Sequence, residues 1–252
     1  MLDSLQQIFA TQTIEVDTTG ERIPVHSNTT MEQGLFLQEL FDMVKPARSL
    51  EVGFAYGISS LFILQKHSQY QSPERSHIVI EPDEYWGPAA MHNIKKEGLA
   101  SYIDIKKDYS DKILTQLFHE DHRIQYAYID TTKRFDVVMQ DFYFIDKIMD
   151  TGGVVILDDC GGRWPGIQRV ARYIHTLPHY KFVRGHNKRA YSLKLRIAHG
   201  VCSLLMKAVP FKARLFPGTN FKTDRQLGLD FACIAFRKTG NDQRSWDWDK
   251  EI

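Results

Sequence analysis

The sequence predicts an α/β protein built on a mainly parallel, doubly wound sheet. Three observations carry this. Short apolar stretches alternate with helical stretches of ~10–15 residues from residue 49 to residue 183. Gly152–Leu157 is apolar throughout, as a strand buried on both faces must be. Glycines and acids recur where strands end, and right-handed crossovers bring those ends to one edge, where ligands of such sheets bind.

Each element has its own signal. Met31–Val44 carries Leu35, Leu37, Leu40, Phe41 and Val44 at helical spacing, with Thr29 and Thr30 as caps before it and Lys45-Pro46 as its stop. Ser49–Gly53 reads as a short strand, Ile58–His67 as a helix and His77–Glu81 as a second strand. A helix over Glu84–Glu97 closes at Gly98. The pattern continues with a strand at Tyr102–Lys106, a helix at Ser110–Phe118, a strand at Ile124–Asp130 and a helix at Phe135–Met149. After the strand Gly152–Leu157 come a helix at Gly166–Leu177 and two strands, Tyr180–Val183 and Phe231–Phe236. Function is therefore expected just after Val52, Ile80, Lys107, Ile129 and Leu157.

Composition narrows the class of partner. The 252 residues include 32 Lys and Arg against 31 Asp and Glu, a balance that gives no reason to expect nucleic acid. Hydrophobic residues at 43% and charged residues at 25% describe an ordinary globular chain with enough length for a substantial core. Apolar stretches such as Gly152–Leu157 and Val201–Met206 fall far short of the ~20 residues that cross a bilayer, so no stable membrane insertion is expected. The start, Met1-Leu2-Asp3-Ser4, lacks the basic and apolar segments of a signal peptide. Cys160, Cys202 and Cys233 are too few and too scattered for a disulfide framework or a zinc knuckle. A cytoplasmic location is expected.

The first strand end reads Glu51-Val52-Gly53-Phe54-Ala55-Tyr56-Gly57-Ile58-Ser59. Glycines here allow a tight turn and close approach of a ligand, and the following helix start offers free N–H groups to an anion. A plain strand-to-helix turn is the alternative. The Gly-x-x-x-Gly spacing is neither the dinucleotide fingerprint nor a phosphate loop, so nicotinamide and nucleoside-triphosphate readings drop. Glu81 ends the next strand, where a carboxylate can accept hydrogen bonds from both hydroxyls of a ribose; a surface acid is the alternative. Asp108 ends the third strand and faces either an adenine amino group or only its own turn.

Glu51-x-Gly53-x-x-x-Gly57-x-Ser59, then Ile80-Glu81, then Ile129-Asp130, then Gly152–Leu157 followed by Asp158-Asp159, resembles the class I S-adenosylmethionine-dependent methyltransferases. More narrowly, the set is similar to the small-molecule O-methyltransferases of the catechol and caffeoyl-CoA type and to the related bacterial group that modifies sugars and antibiotics. The resemblance covers about Thr30–Val183. It implies a Rossmann-like sheet of seven strands, the last antiparallel, with helices on both faces. It also implies that S-adenosylmethionine is the cofactor. Gly53, Gly57 and Ser59 then hold its methionine end with Glu51 and Tyr56 in the same loop, Glu81 holds its ribose, and Asp108 lies on its adenine side.

Asp130, Asp158 and Asp159 lie at the ends of neighbouring strands and can converge into an oxygen-rich site for Mg²⁺ or another divalent cation. A metal there would lower the pKa of an acceptor hydroxyl. Lys133, three positions after Asp130, matches the lysine that takes the acceptor proton in catechol-type relatives, which makes Asp130 and Lys133 the candidate catalytic pair. Against this, Asp158-Asp159 reads equally as a capped turn and Lys133 as a solvated residue.

The expected organisation is an N-terminal helical cap over residues 1–45, the cofactor-binding core over 46–185, an insertion over 186–225, and the last strand with a tail over 226–252. The insertion carries nine basic residues against Asp224 alone, along with Leu193, Leu195, Ile197, Val201, Leu204, Leu205 and Met206. It reads as an acceptor lid selecting an anionic small molecule or as a contact in a homo-oligomer, and less well as a membrane-surface helix. The alternatives to O-methylation are N- or carboxyl-methylation without metal and a cofactor-binding scaffold without activity. The intact loop and the three acids weigh against the scaffold.

Overall fold

A computed structural model describes residues 1–26, 29–83, 85–161, 164–190, 200–201 and 222–248. Helix α1 (Asp3–Thr11) and the antiparallel hairpin of β1 (Thr13–Glu15) and β2 (Arg22–Pro24) precede α2 (Met31–Val44). The alternating part follows: β3 (Ser49–Val52), α3 (Ile58–Gln69), β4 (His77–Ile80), α4 (Gly87–Lys96), β5 (Ile103–Lys106), α5 (Ser110–His119), β6 (Ile124–Ile129), α6 (Phe135–Ile148), β7 (Met149–Leu157) and α7 (Pro165–Thr176). The chain closes with β8 (Tyr180–Lys188), the single turn α8 (Asp224–Leu227) and β9 (Phe231–Lys238).

Seven strands form one sheet in the order β5-β4-β3-β6-β7-β9-β8. Strand β9 runs opposite to the other six, the arrangement that the family resemblance implied. One face of the sheet is covered by α5, α6 and α7 through Leu114, Val138, Phe142, Ile145, Val170 and Ile174, all essentially buried. On the other face lie α1 to α4, with Phe41 and Tyr126 in one cluster and Leu61, Phe62 and Ile94 in the next. The N-terminal region is thus not purely helical: the β1–β2 hairpin intervenes, and Asn93 of α4 donates a hydrogen bond to the Glu15 carbonyl to hold it there.

Three elements differ from expectation by three residues or more at one end. Helix α4 begins at Gly87 with Pro88 in its first turn, a position proline favours because its missing N–H has no helical acceptor. Strand β7 reaches back to Met149, which pairs with Ile124 across a register shift. Strand β8 continues five residues beyond Val183: the polar residues His186 and Lys188 pair with Cys233 and Phe231, and no apolar alternation announced them. The basic insertion therefore leaves the sheet later than 186. Its central residues, 191–199 and 202–221, and with them Cys202, lie outside the described set.

Register positions the site. Val52 pairs with both Ile80 and Ile129, and Ile129 pairs with Leu157. Residues 53, 81, 130 and 158 consequently emerge side by side at the carboxyl edge of the sheet.

Candidate active site

The glycine loop begins at Gly53, whose φ of +98° belongs to the left-handed region. A Cβ there would lie 2.0 Å from the carbonyl oxygen of Asp130, so both conformation and space demand glycine. Gly57 (φ +67°) starts α3, and its N–H donates to the carbonyl of Phe54 at 2.7 Å, closing the loop. The first-turn amides of α3 have no acceptor within the helix. A cavity of about 40 Å³ opens above them, lined by Thr29, Gly53, Tyr56, Ser59 and Asp130 among others. Its lining, with free helix-start amides, Ser59 and Asp130, suits a small charged group such as the amino or carboxyl end of an amino acid.

Glu51, expected among the cofactor-binding residues, lies beneath this loop. Only 1% of it is exposed. The hydroxyls of Ser59 and Ser60 donate to its two carboxylate oxygens, and His77 Nε2 lies 3.0 Å from Oε2. A carboxylate so engaged supports the loop from below and does not face a ligand.

Glu81 stands at the strand end as expected, and its oxygens are used by the backbone. Oε2 accepts from the N–H groups of Phe54 at 2.9 Å and Ala55 at 3.4 Å; Oε1 accepts from Asp83 at 2.9 Å. Glu81 thus bridges the end of β4 to the glycine loop, and a ribose binding there would displace those amides. Asp108 is more open. It accepts from Lys112 at 2.9 Å and from the Tyr109 amide at 2.8 Å, and the Lys112 hydrogen bond lowers its pKa. Tyr56 is nearly buried, its ring 4.6 Å from that of Trp86.

Asp130, Asp158 and Asp159 do converge: one carboxylate oxygen from each lies within 4.8 Å of the others. The chain turns sharply at Asp159 (φ +53°), which lets two adjacent acids address one point. Lys133 inserts its ammonium between them, 2.8 Å from Asp130 and 2.7 Å from Asp159. Asp158 instead accepts from Gln33 at 2.7 Å and from the Tyr128 hydroxyl at 3.0 Å. Burial, reinforced by the charge of Asp130, pushes the Asp158 carboxyl up to about 6. Burial also raises Asp130, against the opposing pull of Lys133. Three carboxylates facing one ammonium leave an excess of negative charge, which suits a hard divalent cation. For Lys133, burial favours loss of the proton, but Asp130 and Asp159 outweigh it and the net shift is upward. In this arrangement Lys133 is a proton-bearing cation, unlike a base ready to accept.

Sequence reasoning missed Gln33 and Tyr128. Gln33 sits at the start of α2, 125 residues from the carboxylate that it touches. Tyr128 carried a weak signal, a hydroxyl two positions before Asp130 in an otherwise apolar strand. A second acid–histidine group, Asp146, His179 and Asp242, also lies within 4.8 Å at the opposite edge of the sheet. It already holds cations: Lys238 lies 3.1 Å from Asp146, and Arg244 pairs with Asp242 through two nitrogens.

Comparison with known proteins meets this geometry. Residues 50–160 match the family described as a methyltransferase domain. That span contains the glycine loop, Glu81, Asp108 and all three acids, so the segment that builds the site is the one that matches a methyltransferase domain, in line with the sequence resemblance. No curated protein matches the sequence. Among solved structures, the O-methyltransferase of Bacillus cereus in complex with S-adenosylhomocysteine is 20% identical, with a TM-score of 0.57 over 71% of this chain and 82% of that one. The Streptomyces achromogenes O-methyltransferase involved in tomaymycin synthesis, in complex with S-adenosylmethionine, is 18% identical, with a TM-score of 0.54 over 62% and 73%. An S-adenosylhomocysteine-bound methyltransferase of Podospora anserina is 15% identical, with a TM-score of 0.51 over 60% and 72%. These likenesses establish a shared Rossmann-like fold. Among the described residues, no helix is long and apolar enough to cross a membrane.

Proposed function

We propose that the protein is an S-adenosylmethionine-dependent O-methyltransferase acting on a hydroxyl of a small molecule. The observation that carries this reading is the single row formed at the sheet edge by the Gly53–Ser59 loop, Glu81 and the acids Asp130, Asp158 and Asp159. Bound S-adenosylmethionine supplies an electrophilic methyl group on a sulfonium. Gly53, Tyr56, Gly57 and Ser59 form the wall for its amino-acid end, where the small polar cavity and the free first-turn amides fit an ammonium and a carboxylate. Glu81 exchanges its loop amides for the ribose hydroxyls, and Asp108 borders the adenine.

Asp130, Asp158 and Asp159 would hold a divalent cation, consistent with their oxygen donors, their convergence and the raised carboxyls of Asp130 and Asp158. Such a cation supplies charge that favours the ionised form of an acceptor hydroxyl. Gln33 and Tyr128 orient Asp158 by hydrogen bonding to it. Lys133 keeps its proton while Asp130 and Asp159 face it, so its role as base requires that those carboxylates be neutralised. The insertion over 186–225 serves as acceptor lid or subunit contact. Arg189, at its start, and Asp224, near its end, meet at 2.9 Å, and the Arg189 side chain packs on Gly161, two residues after Asp159. The first foot of the insertion thus stands beside the turn that carries Asp159 and is tied to the last by an ion pair, which supports a lid over an anionic acceptor.

A second reading, methylation without metal, is favoured by one observation: Lys133 already supplies a cation to two of the three acids. Calorimetry and turnover separate these readings. Losing a hydrogen-bonded charged contact costs about 1.5–3 kcal/mol, so Glu81→Ala should weaken S-adenosylhomocysteine binding by roughly ten- to a hundredfold. Unchanged affinity would sink the ribose assignment. With an acceptor in hand, EDTA or Asp158→Ala should abolish turnover and added Mg²⁺ should restore the chelated enzyme; full activity under chelation selects the metal-free reading.

A further inference from the structure

We infer that His77 is a positioning residue for the glycine loop, acting through Glu51 and the serines that open α3. It touches neither the cavity nor the strand-end acids. The inference deepens the cofactor site proposed above and rests on that reading only for the ligand.

A polar seam runs through the apolar layer between β3, β4 and α3. Ser49 and Glu51 alternate along β3 and so face the same side of the sheet, toward α3. His77 opens β4 directly opposite Ser49. Ser59, Ser60 and His67 come from α3. All six are buried, as are the apolar Leu61, Phe62, Ile63 and Val79 on the same two elements, α3 and β4. Buried polar groups in such a place persist only when hydrogen-bonded, and a buried carboxylate needs several donors. Glu51 has three: Ser59 Oγ, Ser60 Oγ and the His77 ring. The seam continues away from the loop, since His77 Nδ1 lies 2.8 Å from Ser49 Oγ, which lies 2.6 Å from His67 Nε2.

Donor and acceptor roles follow from chemistry. A carboxylate only accepts, so the hydrogens of both serine hydroxyls and the proton on His77 Nε2 point at Glu51. His77 pins one side of that carboxylate while the helix start pins the other. The consequence reaches the cavity. Ser59 lines it, and with its one hydrogen committed to Glu51 this hydroxyl presents lone pairs alone. It can accept from a ligand ammonium but cannot donate to a ligand carboxylate. The acid at the N-terminus of α3 also opposes the positive end of that helix, which favours the same arrangement.

Removing the ring leaves Glu51 with one donor fewer and free to turn. The loop amides should then open more often, and Ser59 should lose its fixed hydrogen. Hydrogen exchange of the full-length chain without ligand tests the first effect, and calorimetry with S-adenosylhomocysteine tests the second. In His77→Leu, amides over residues 54–61 should exchange at least about tenfold faster than in the wild type, with affinity falling by a similar factor. His77→Gln, whose amide can still donate to Glu51, should recover most of both. A matched core truncation on the other face, Leu114→Ala, should lower the melting temperature without changing either readout. If His77→Leu does not fold, Ser60→Ala removes another of the three donors and should move exchange and affinity in the same direction. Unchanged exchange over 54–61 in these variants overturns the inference whatever the ligand does. Faster exchange in a protein whose wild type fails to bind S-adenosylhomocysteine upholds the positioning role and refutes the cofactor reading instead.

Discussion

Asp141 shows what one misplaced charge does to this protein. It lies in α6 with 1% of its surface exposed, and neither carboxylate oxygen has a hydrogen-bond partner in good geometry. Burial raises its pKa from 3.8 to about 6, with nearby Ser110 offsetting only part of that. The folded state therefore binds the proton more tightly than the unfolded chain. Its stability contribution is full below about pH 4 and is lost as pH rises through 6. At pH 7 the ionised form costs on the order of 3 kcal/mol. Asp141→Asn should remove the fall in stability between pH 4 and pH 6.5, as read by urea unfolding at several pH values. An equal slope in wild type and variant would show that Asp141 does not carry it. Lys133 makes a complementary case. The expectation of a base rested on its spacing from Asp130, and that spacing also delivers it to two carboxylates that hold its proton.

At the scale of elements, α2 and α3 approach each other through Gly34. A Cβ there would lie 2.2 Å from the ring of Phe62, which is fully packed and cannot recede. Gly34→Ala should push the helices apart and destabilise the protein by about 1–3 kcal/mol. Because Gln33 is the adjacent residue and holds Asp158, the same change should weaken ion binding at the proposed divalent site; thermal melting and ion titration read the two effects separately. A variant with unaltered melting would mean that α2 shifts without cost. Element by element, legibility followed burial. The strands β3, β4, β6 and β7 and the helices between them were visible because their apolar patterns match their burial. The β1–β2 hairpin was not, since strands of three residues carry no periodicity. Nor was the outer half of β8, whose polar residues pair at the edge of the sheet.

For the whole molecule, the site is a property of topology more than of any motif. Parallel strands in register bring residues 53, 81, 130 and 158 to one edge, so acids scattered through the sequence become neighbours. That convergence was legible because it depends only on strand order and direction. What stayed hidden were the partners that occupy those acids: Gln33 on Asp158, His77 on Glu51, and the loop amides on Glu81. Such contacts join distant segments through side-chain geometry that no spacing encodes. A crystal structure of the chain grown with S-adenosylhomocysteine tests the proposed site most directly. The ligand should lie against Gly53–Ser59, with its ribose hydroxyls on a Glu81 carboxylate that has released the amides of Phe54 and Ala55. A bound ligand with Glu81 still hydrogen-bonded to both amides, or seated away from that loop, would contradict it.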